Sequence, residues 1–234
     1  MGSSLIFLAA LLAIGIWWLS RQGLMSKPWL EQGVVAEAPF PRDFTSSAAR
    51  MGLGVFLAVV GSLFALLISA YAIRMQVSDW RDVPLPKVLW LNTGMLILSS
   101  AALQSAWNAA RKAEEDALMV GLFAAGVAAL AFLSGQLLAW RQLTADGYFL
   151  TSNAANAFFY MLTGIHGLHL LGGLVALSRT IALAWRGAQP ERVRLSVGLC
   201  ATYWHFLLIV WFILLSVLTA WVGIALDICR QLLT

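Results

Sequence analysis

Long stretches without a charged side chain recur along this chain, and all of its Asp, Glu, Lys and Arg residues lie outside them. A helix needs about 20 apolar residues to cross a hydrocarbon core, because every backbone polar group there must be satisfied within the segment. Six stretches are long enough, and they comprise residues 1–20, 51–73, 88–110, 117–140, 147–178 and 195–226. With 61% hydrophobic and 11% charged residues, the chain is also far too apolar for a soluble domain. We predict an all-α integral membrane protein with six transmembrane helices.

The same stretches indicate how the chain is divided. Residues 1–20 lack the basic start of a cleaved signal peptide, and Trp17 and Trp18 stand where a cleavage site requires small side chains. We therefore expect them to remain as an N-terminal transmembrane anchor. Residues 21–50 contain three prolines and are predicted to form a linker loop, and residues 51–226 are predicted to form a five-helix membrane domain.

The basic residues are distributed unequally between the two sides of the predicted helices. Ten of the fifteen Lys and Arg residues lie in the segments after the first, third and fifth helix. By the positive-inside rule, that side faces the cytoplasm. We therefore predict that both termini lie on the outer, periplasmic side of a bacterial inner (cytoplasmic) membrane. The net charge of +4 is too small to indicate a nucleic-acid-binding protein.

The acidic residues lie in loops or at span ends, and none lies in the middle of a predicted span. Proton relays and ion-coupled transport use a group that changes its charge within the membrane. The sequence therefore gives no support to a proton relay of carboxylates or to a small-solute transporter. The two cysteines do not form a CxxC motif, so we predict no zinc, iron–sulfur or two-copper site. No catalytic residue is assigned to this chain.

Three histidines are the remaining candidates for chemistry within the predicted spans. His166 and His169 are spaced i, i+3 and therefore lie on one face of the fifth helix, while His205 lies in the sixth. Three interpretations stay open: structural hydrogen bonds between helices, a lipid-headgroup network at the helix ends, and one haem or metal site. A bis-histidine haem needs two imidazoles on different helices, so this chain could supply one such site at most.

A stripe of small residues runs along the fourth predicted helix, where Gly121, Ala125 and Ala129 recur every four residues. Small residues at this spacing let another helix approach closely. That second helix belongs either to this chain or to a neighbouring subunit, and the spacing is compatible with both.

Several sequence strings in the predicted helices are more specific to one family than hydropathy or residue spacing can be. Residues 156–173 read NAFFYMLTGIHGLHLLGG, and residues 203–206 read YWHF, with Trp211 five residues later. Shorter strings precede them in the chain, namely FLA at 56–58, AY at 70–71 with Arg74, LP at 85–86, LWLNT at 89–93, SS at 99–100 and GQ at 135–136. In this order, from about residue 50 to about residue 222, they resemble subunit III of the haem-copper oxidases, the cytochrome c oxidase type.

The resemblance implies a non-catalytic accessory subunit of a respiratory terminal oxidase. In that family the haem and copper belong to subunits I and II, so we expect neither to be bound by this chain. The resemblance also implies structural phospholipid in a cleft, and support for the stability and proton uptake of subunit I. Phe56 is expected to line the cleft, and Arg192 or Arg194 to pair with a headgroup. The expected structural polar contacts are Asn156, His166, His169, Trp204 and His205.

Three positions depart from the family pattern. Where the family commonly carries acids, this chain has Val60, Gly198 and Leu208. These departures leave open an accessory protein of a nitric oxide reductase or of another respiratory complex. A haem b membrane anchor is the alternative from another class.

Overall fold

The computed structural model describes residues 42–78, 80, 81 and 83–219. They form five long α-helices, which are α1 (Arg42–Arg74), α2 (Val88–Lys112), α3 (Glu115–Ala145), α4 (Ala154–Trp185) and α5 (Pro190–Leu218). All five are long and apolar enough to cross a membrane, which confirms the five predicted spans that follow the first. The predicted anchor, residues 1–20, and residues 21–41 of the predicted linker loop lie outside the described residues, whereas residues 42–50, also assigned to that loop, are the first part of α1.

The connections between the helices determine where each helix ends. Only Ala113 and Glu114 separate α2 from α3, and Ala113 adopts the left-handed conformation with a φ of 59°. Between α3 and α4 the chain turns through Gly147, whose φ of 86° favours glycine. Asn153 then caps α4, because its side chain accepts a hydrogen bond from the backbone N–H of Ala155 at 3.4 Å. Such short connections place consecutive helices side by side and antiparallel.

The most extensive contact between described helices joins α2 and α3. Gly121, Ala125 and Ala129 of α3 are all buried. A Cβ atom added at Gly121 would lie 2.8 Å from Ala106 Cβ and 3.0 Å from the backbone oxygen of Ala102. The small-residue stripe therefore packs against α2 of the same chain, and this packing brings the two backbones together.

Helix α1 is held in a different way. No Cα atom of α1 lies within 8 Å of a Cα atom of another described helix. Large side chains bridge the distance: the ring centroid of Phe56 lies 6.0 Å from that of Tyr203, and the ring centroid of Tyr71 lies 5.7 Å from that of Phe158. The bundle thus consists of four closely packed helices and a fifth that stands apart from them.

Candidate functional site

A cleft of about 340 Å³ lies between α1, α4 and α5. It exists because α1 stands apart from the other helices and because Gly172 of α4 has no side chain to fill it. Nothing lies within 4 Å of the place that a Cβ atom of Gly172 would occupy. The lining comprises Leu53, Phe56, Gly172, Gly173, Ala176, Thr180, Ser196, Leu199, Cys200 and Tyr203. A mostly apolar cleft of this size fits part of a hydrocarbon chain.

The polar groups of the cleft lie towards the start of α5. Thr180 Oγ1 lies 2.7 Å from Ser196 Oγ and 3.4 Å from Cys200 Sγ. Arg192 precedes Ser196 by four residues, so it lies on the same side of α5, one turn nearer the helix end. Arg194 is rotated by about 200° from Arg192 around the helix axis. The two arginines that were predicted as alternatives therefore lie on different faces of α5.

Phe56 lines this cleft and is 48% exposed. Its ring contacts Tyr203, and the hydroxyl of Tyr203 donates a hydrogen bond to the backbone oxygen of His169 at 2.8 Å. These contacts connect α1 to α5 and α5 to α4 at one level of the bundle. They hold the Phe56 ring at the edge of the cleft.

Two tryptophans of α5 are fixed by hydroxyl groups of α2. The fully buried Trp204 donates from Nε1 to Ser99 Oγ at 2.8 Å, and Ser99 donates to the backbone oxygen of Ala125 in α3, also at 2.8 Å. Two turns further along α5, Trp211 Nε1 donates to Thr93 Oγ1 at 2.9 Å. Since the bilayer interior offers no water to these polar groups, the bonds hold α2, α3 and α5 in one register.

His205 uses both of its ring nitrogens in contacts with α2. Its Nε2 lies 2.9 Å from Gln104 Oε1, and its Nδ1 lies 2.5 Å from Ser100 Oγ. Because the amide oxygen of Gln104 only accepts hydrogen bonds, Nε2 carries a proton and donates to it, while Nδ1 shares a hydrogen bond with the Ser100 hydroxyl. His205 is therefore a polar contact between α5 and α2, and neither nitrogen has a lone pair free for a metal.

His166 and His169 lie on the same helix in different surroundings. His166 is fully buried, and its ring centroid lies 5.2 Å from that of Trp211 and 5.8 Å from that of Phe132. Neither ring nitrogen of His166 has a hydrogen-bond partner among the described residues. His169 is half-buried, and its Nδ1 bonds the backbone oxygen of Ile165, one turn earlier, at 2.8 Å. Within the described chain, neither imidazole forms a hydrogen bond to another helix.

Asn156 is buried near the start of α4 and binds the turn that precedes this helix. Its Nδ2 donates to the backbone oxygen of Phe149 at 3.1 Å and to Ser152 Oγ at 2.8 Å. One turn later, the hydroxyl of Tyr160 donates to the backbone oxygen of Tyr148 at 2.9 Å. Both side chains therefore fasten the connection between α3 and α4 to α4 itself.

Apolar or aromatic groups surround the three positions where the family commonly carries acids. Val60 is buried in a cluster of apolar side chains from α1, α4 and α5, and Leu208 packs against the main hydrophobic core. A Cβ atom at Gly198 would lie 3.1 Å from Trp107 Nε1, so the indole ring occupies the space that a longer side chain would need. These surroundings favour neutral side chains at Val60 and Leu208, and at Gly198 they leave little room for a larger side chain.

The sequence did not single out several residues that complete the polar core. Asn92 Nδ2 donates to Gln136 Oε1 at 3.1 Å, and both side chains are buried. These two residues, with Ser99 and Ser100, belong to strings that carry the family resemblance, which was the available signal, whereas Gln104 lies outside those strings. Among the described residues, no three His, Cys, Asp or Glu side chains come close enough to hold a metal ion.

Known proteins resemble this chain over most of its length. A family model described as cytochrome c oxidase subunit III matches residues 25–223. Cytochrome c oxidase subunit 3 of Synechocystis is 30% identical over 172 residues, which cover 70% of this chain and 71% of that protein. Probable cytochrome c oxidase subunit 3 of Mycobacterium tuberculosis is 31% identical over 67% of this chain and 77% of its own length. Cytochrome bo(3) ubiquinol oxidase subunit 3 of Pseudomonas aeruginosa is 26% identical over 71% of this chain and 81% of its own length.

Proposed function

Because this chain belongs to the cytochrome c oxidase subunit III family, we propose that it is a non-catalytic accessory subunit of a respiratory haem-copper terminal oxidase. Such a complex reduces oxygen to water and translocates protons. The observation that carries the proposal is the family match over residues 25–223, a range that includes all five described helices. In the complex, this chain packs on the catalytic subunit I, and subunit II completes the assembly.

The arrangement of the histidines supports a role without a redox centre in this chain. A pair of axial ligands needs two imidazoles that face a common space with free nitrogens. His205 bonds Ser100 and Gln104 with its two nitrogens, whereas aromatic rings surround His166 in the core. In the proposal, the haem and copper therefore belong to subunits I and II, and this chain supports the stability and proton uptake of subunit I.

The location we propose is a bacterial inner membrane, with both termini on the periplasmic side. The similar subunits named above come from bacteria. The excess of Lys and Arg in the segments after the first, third and fifth predicted helices supports this orientation by the positive-inside rule.

The cleft between α1, α4 and α5 is proposed to hold a phospholipid. Its apolar wall, which includes Phe56, suits an acyl chain, and Thr180 and Ser196 offer hydroxyl groups towards the start of α5. Arg192 lies one turn beyond Ser196 on the same side of the helix, so its guanidinium suits a lipid phosphate. Arg194, on another face of α5, is not part of this site.

Filling the cleft should expel the lipid. Gly172→Phe places a ring in the open space beside Phe56, and we expect the purified complex to lose most of the phospholipid that this subunit holds. Native mass spectrometry of the complex in mild detergent measures the bound lipid. Gly94→Phe is the matched control, because nothing lies within 4 Å of its Cβ position and Gly94 lies on α2, outside the cleft. Equal lipid content in the two variants would refute the cleft as the binding site.

A second pair of matched variants tests which arginine binds the lipid headgroup. Arg192→Ala is expected to weaken the retention of anionic phospholipid, since its guanidinium lies on the cleft side of α5. Arg194→Ala removes the same charge two residues away and is expected to leave lipid retention unchanged. Lipid counts from the same mass spectra measure both effects. A larger loss in Arg194→Ala would assign the headgroup to the other face of the helix.

The accessory role is tested by deleting the chain from its host. The remaining oxidase is expected to keep its haem and copper, because those sites belong to other subunits, while its oxygen-reduction rate decays several-fold faster during turnover. Optical spectra and metal analysis of the purified complex measure the first quantity, and an oxygen electrode measures the second. Supplying the gene again should restore sustained turnover.

Other outcomes would overturn this role. Loss of the haem-copper centre from the deletion strain would show that the chain is needed to build that centre. A complex that co-purifies with this chain and consumes nitric oxide instead of oxygen would identify a nitric oxide reductase. A Soret band in the chain purified alone, which disappears in His169→Ala, would identify a haem b anchor.

A further inference from the structure

Helix α2 carries more polar side chains than its packing against the other described helices explains. It has the lowest mean hydropathy of the five spans, although α2 and α3 are buried to the same extent within the chain. Side chains that face the interior, such as Ser99 and Asn92, account for part of this polarity. The rest lies on the outer face of the helix, where a transmembrane segment in contact with lipid is normally apolar.

Three residues form this outer polar surface, which we call the α2 polar strip: Gln104, Ser105 and Asn108. Ser105 and Asn108 are exposed, and Gln104 is half-buried. Gln104 lies eight residues before Lys112, the last residue of α2, and Asn108 lies four residues before it. At 1.5 Å per residue, these positions are about 12 Å and about 6 Å along the helix from the Lys112 end. Gln104 is therefore at the depth of the acyl chains.

The strip contains hydrogen-bonding groups that the described part of the chain leaves without partners. Gln104 Oε1 accepts from His205 Nε2, but no described residue accepts from the Gln104 amide N–H groups. The side-chain amide of Asn108 likewise has no partner within the described residues. Ser105 donates to the backbone oxygen of Ala102 and can still accept a bond. Acyl chains cannot satisfy the Gln104 N–H groups at this depth, so their exposure to lipid would be costly.

The outer face of α3 provides a comparison. Val120, Val127, Leu130 and Leu137 are all exposed there, and their side chains are apolar. The hydroxyl of Ser134, which is exposed on the same helix, donates to the backbone oxygen of Leu130, four residues earlier, at 2.9 Å. A lipid environment suits that face, whereas the α2 polar strip needs a neighbouring molecule that offers hydrogen-bond acceptors.

We propose that a transmembrane helix of another oxidase subunit covers the α2 polar strip and offers hydrogen-bond acceptors to Gln104 and Asn108. Backbone carbonyls and the hydroxyls of Ser or Thr are acceptors of the kind found between membrane helices. The inference rests on the proposed function, since it takes the neighbour from the same oxidase complex.

A second copy of this chain fits the strip less well. Two copies in one membrane, related by an axis along the membrane normal, bring residues of equal depth together. Gln104 would then face Gln104 of the other copy. His205 already uses one of the two lone pairs of Gln104 Oε1, so two facing Gln104 side chains would offer four amide N–H donors to two remaining lone pairs, and donors would outnumber acceptors.

Photo-crosslinking tests which molecule lies on the strip. A benzoylphenylalanine at Ser105 is expected to crosslink this chain to another oxidase subunit in the intact complex. The same probe at Val127, on the outer face of α3, is the control and is expected to give lipid adducts without a protein crosslink. Lipid adducts at Ser105, or a crosslink within this chain or to a second copy of it, would overturn the proposal.

A substitution tests the hydrogen bonds themselves. Asn108→Leu removes no bond within the described chain, and it is expected to reduce retention of this subunit during detergent purification about three-fold or more. Ser134→Leu is the control on α3 and is expected to leave retention unchanged. Equal retention of both variants would refute the proposed bonds.

The two proposals fail in distinguishable ways. If this chain co-purifies with a haem-copper oxidase but crosslinks to it only from Val127, the accessory role stands and the α2 polar strip is the wrong surface. If the wild-type chain does not co-purify with such an oxidase, the proposed function itself is wrong.

Discussion

Replacing Gly121 with valine is expected to separate α2 from α3 and to remove most of the chain from the purified complex. A Cβ atom at this position would already lie 2.8 Å from Ala106 Cβ and 3.0 Å from both the Ala106 nitrogen and the Ala102 oxygen. Backbone atoms cannot move aside as the end of a flexible side chain does, so the helices themselves must move. Extra atoms in a well-packed core cost about 1–3 kcal/mol of unfolding free energy even where side chains can adjust. We expect a larger loss of stability for Gly121→Val. Thermal unfolding in detergent and the yield of the complex measure it.

The control for this substitution is Gly94→Val on α2. It introduces the same side chain into a helix at a position where nothing lies within 4 Å of the Cβ atom. Both variants change helix propensity alike, so their difference reports the close contact between α2 and α3. If the two variants unfold at the same temperature, α2 and α3 do not approach each other at Gly121 as closely as described.

Removing the indole of Trp204 should have the second-largest effect. Trp204→Ala leaves a cavity between α2 and α5 and is expected to cost about 3–5 kcal/mol of unfolding free energy. Trp204→Phe keeps most of the packing and loses the bond from Nε1 to Ser99, so its expected cost is smaller, about 1–2 kcal/mol. Ser99 keeps its bond to the backbone of Ala125 in both variants. Denaturation in mixed micelles measures the difference.

An exposed tryptophan provides the comparison for Trp204. Trp90 lies on the same bundle but is 58% exposed, and Trp90→Ala is expected to change the free energy of unfolding by less than about 1 kcal/mol. A loss of similar size in Trp90→Ala and Trp204→Ala would show that Trp204 is not the packing centre described above.

The pattern of charges was sufficient to predict the five described spans, because a charged side chain in the hydrocarbon is costly and therefore marks a boundary. The exact helix ends depend on local contacts that hydropathy does not contain. The predicted fifth span begins at residue 147, but Gly147 forms a turn and α4 starts after the cap at Asn153. At its other end, α4 continues to Trp185, beyond the end of the uncharged stretch at Ser178.

The sequence singled out residues that form polar contacts, but it did not show which residues pair with each other. The YWHF string singled out Trp204 and His205, yet their partners Ser99 and Gln104 lie about a hundred residues earlier in the chain. Pairing them requires the rotation of α2 relative to α5, which results from packing over both helices.

The i, i+3 histidines show the same limit of sequence reasoning. The spacing correctly places His166 and His169 on one side of α4, since they differ by about 60° around the axis. The boundary of the core nevertheless falls between them, so the ring of His166 is fully buried while that of His169 is half-buried. Periodicity does not locate such a boundary, because it depends on the side chains of neighbouring helices.

Aromatic spacers keep α1 away from its neighbours. Phe56 meets Tyr203 at one level of α1, and Phe64 meets His169 at the next, with ring centroids 5.5 Å apart. Since no Cα atom of α1 lies within 8 Å of a Cα atom of another described helix, the side chains between the helices, including these rings, determine the width of the opening. A single exchange of a ring for a smaller side chain would narrow it while leaving the four-helix core intact. In the proposed lipid role, the bulk of the acyl chain that fits the opening then depends on the side chains at these few positions.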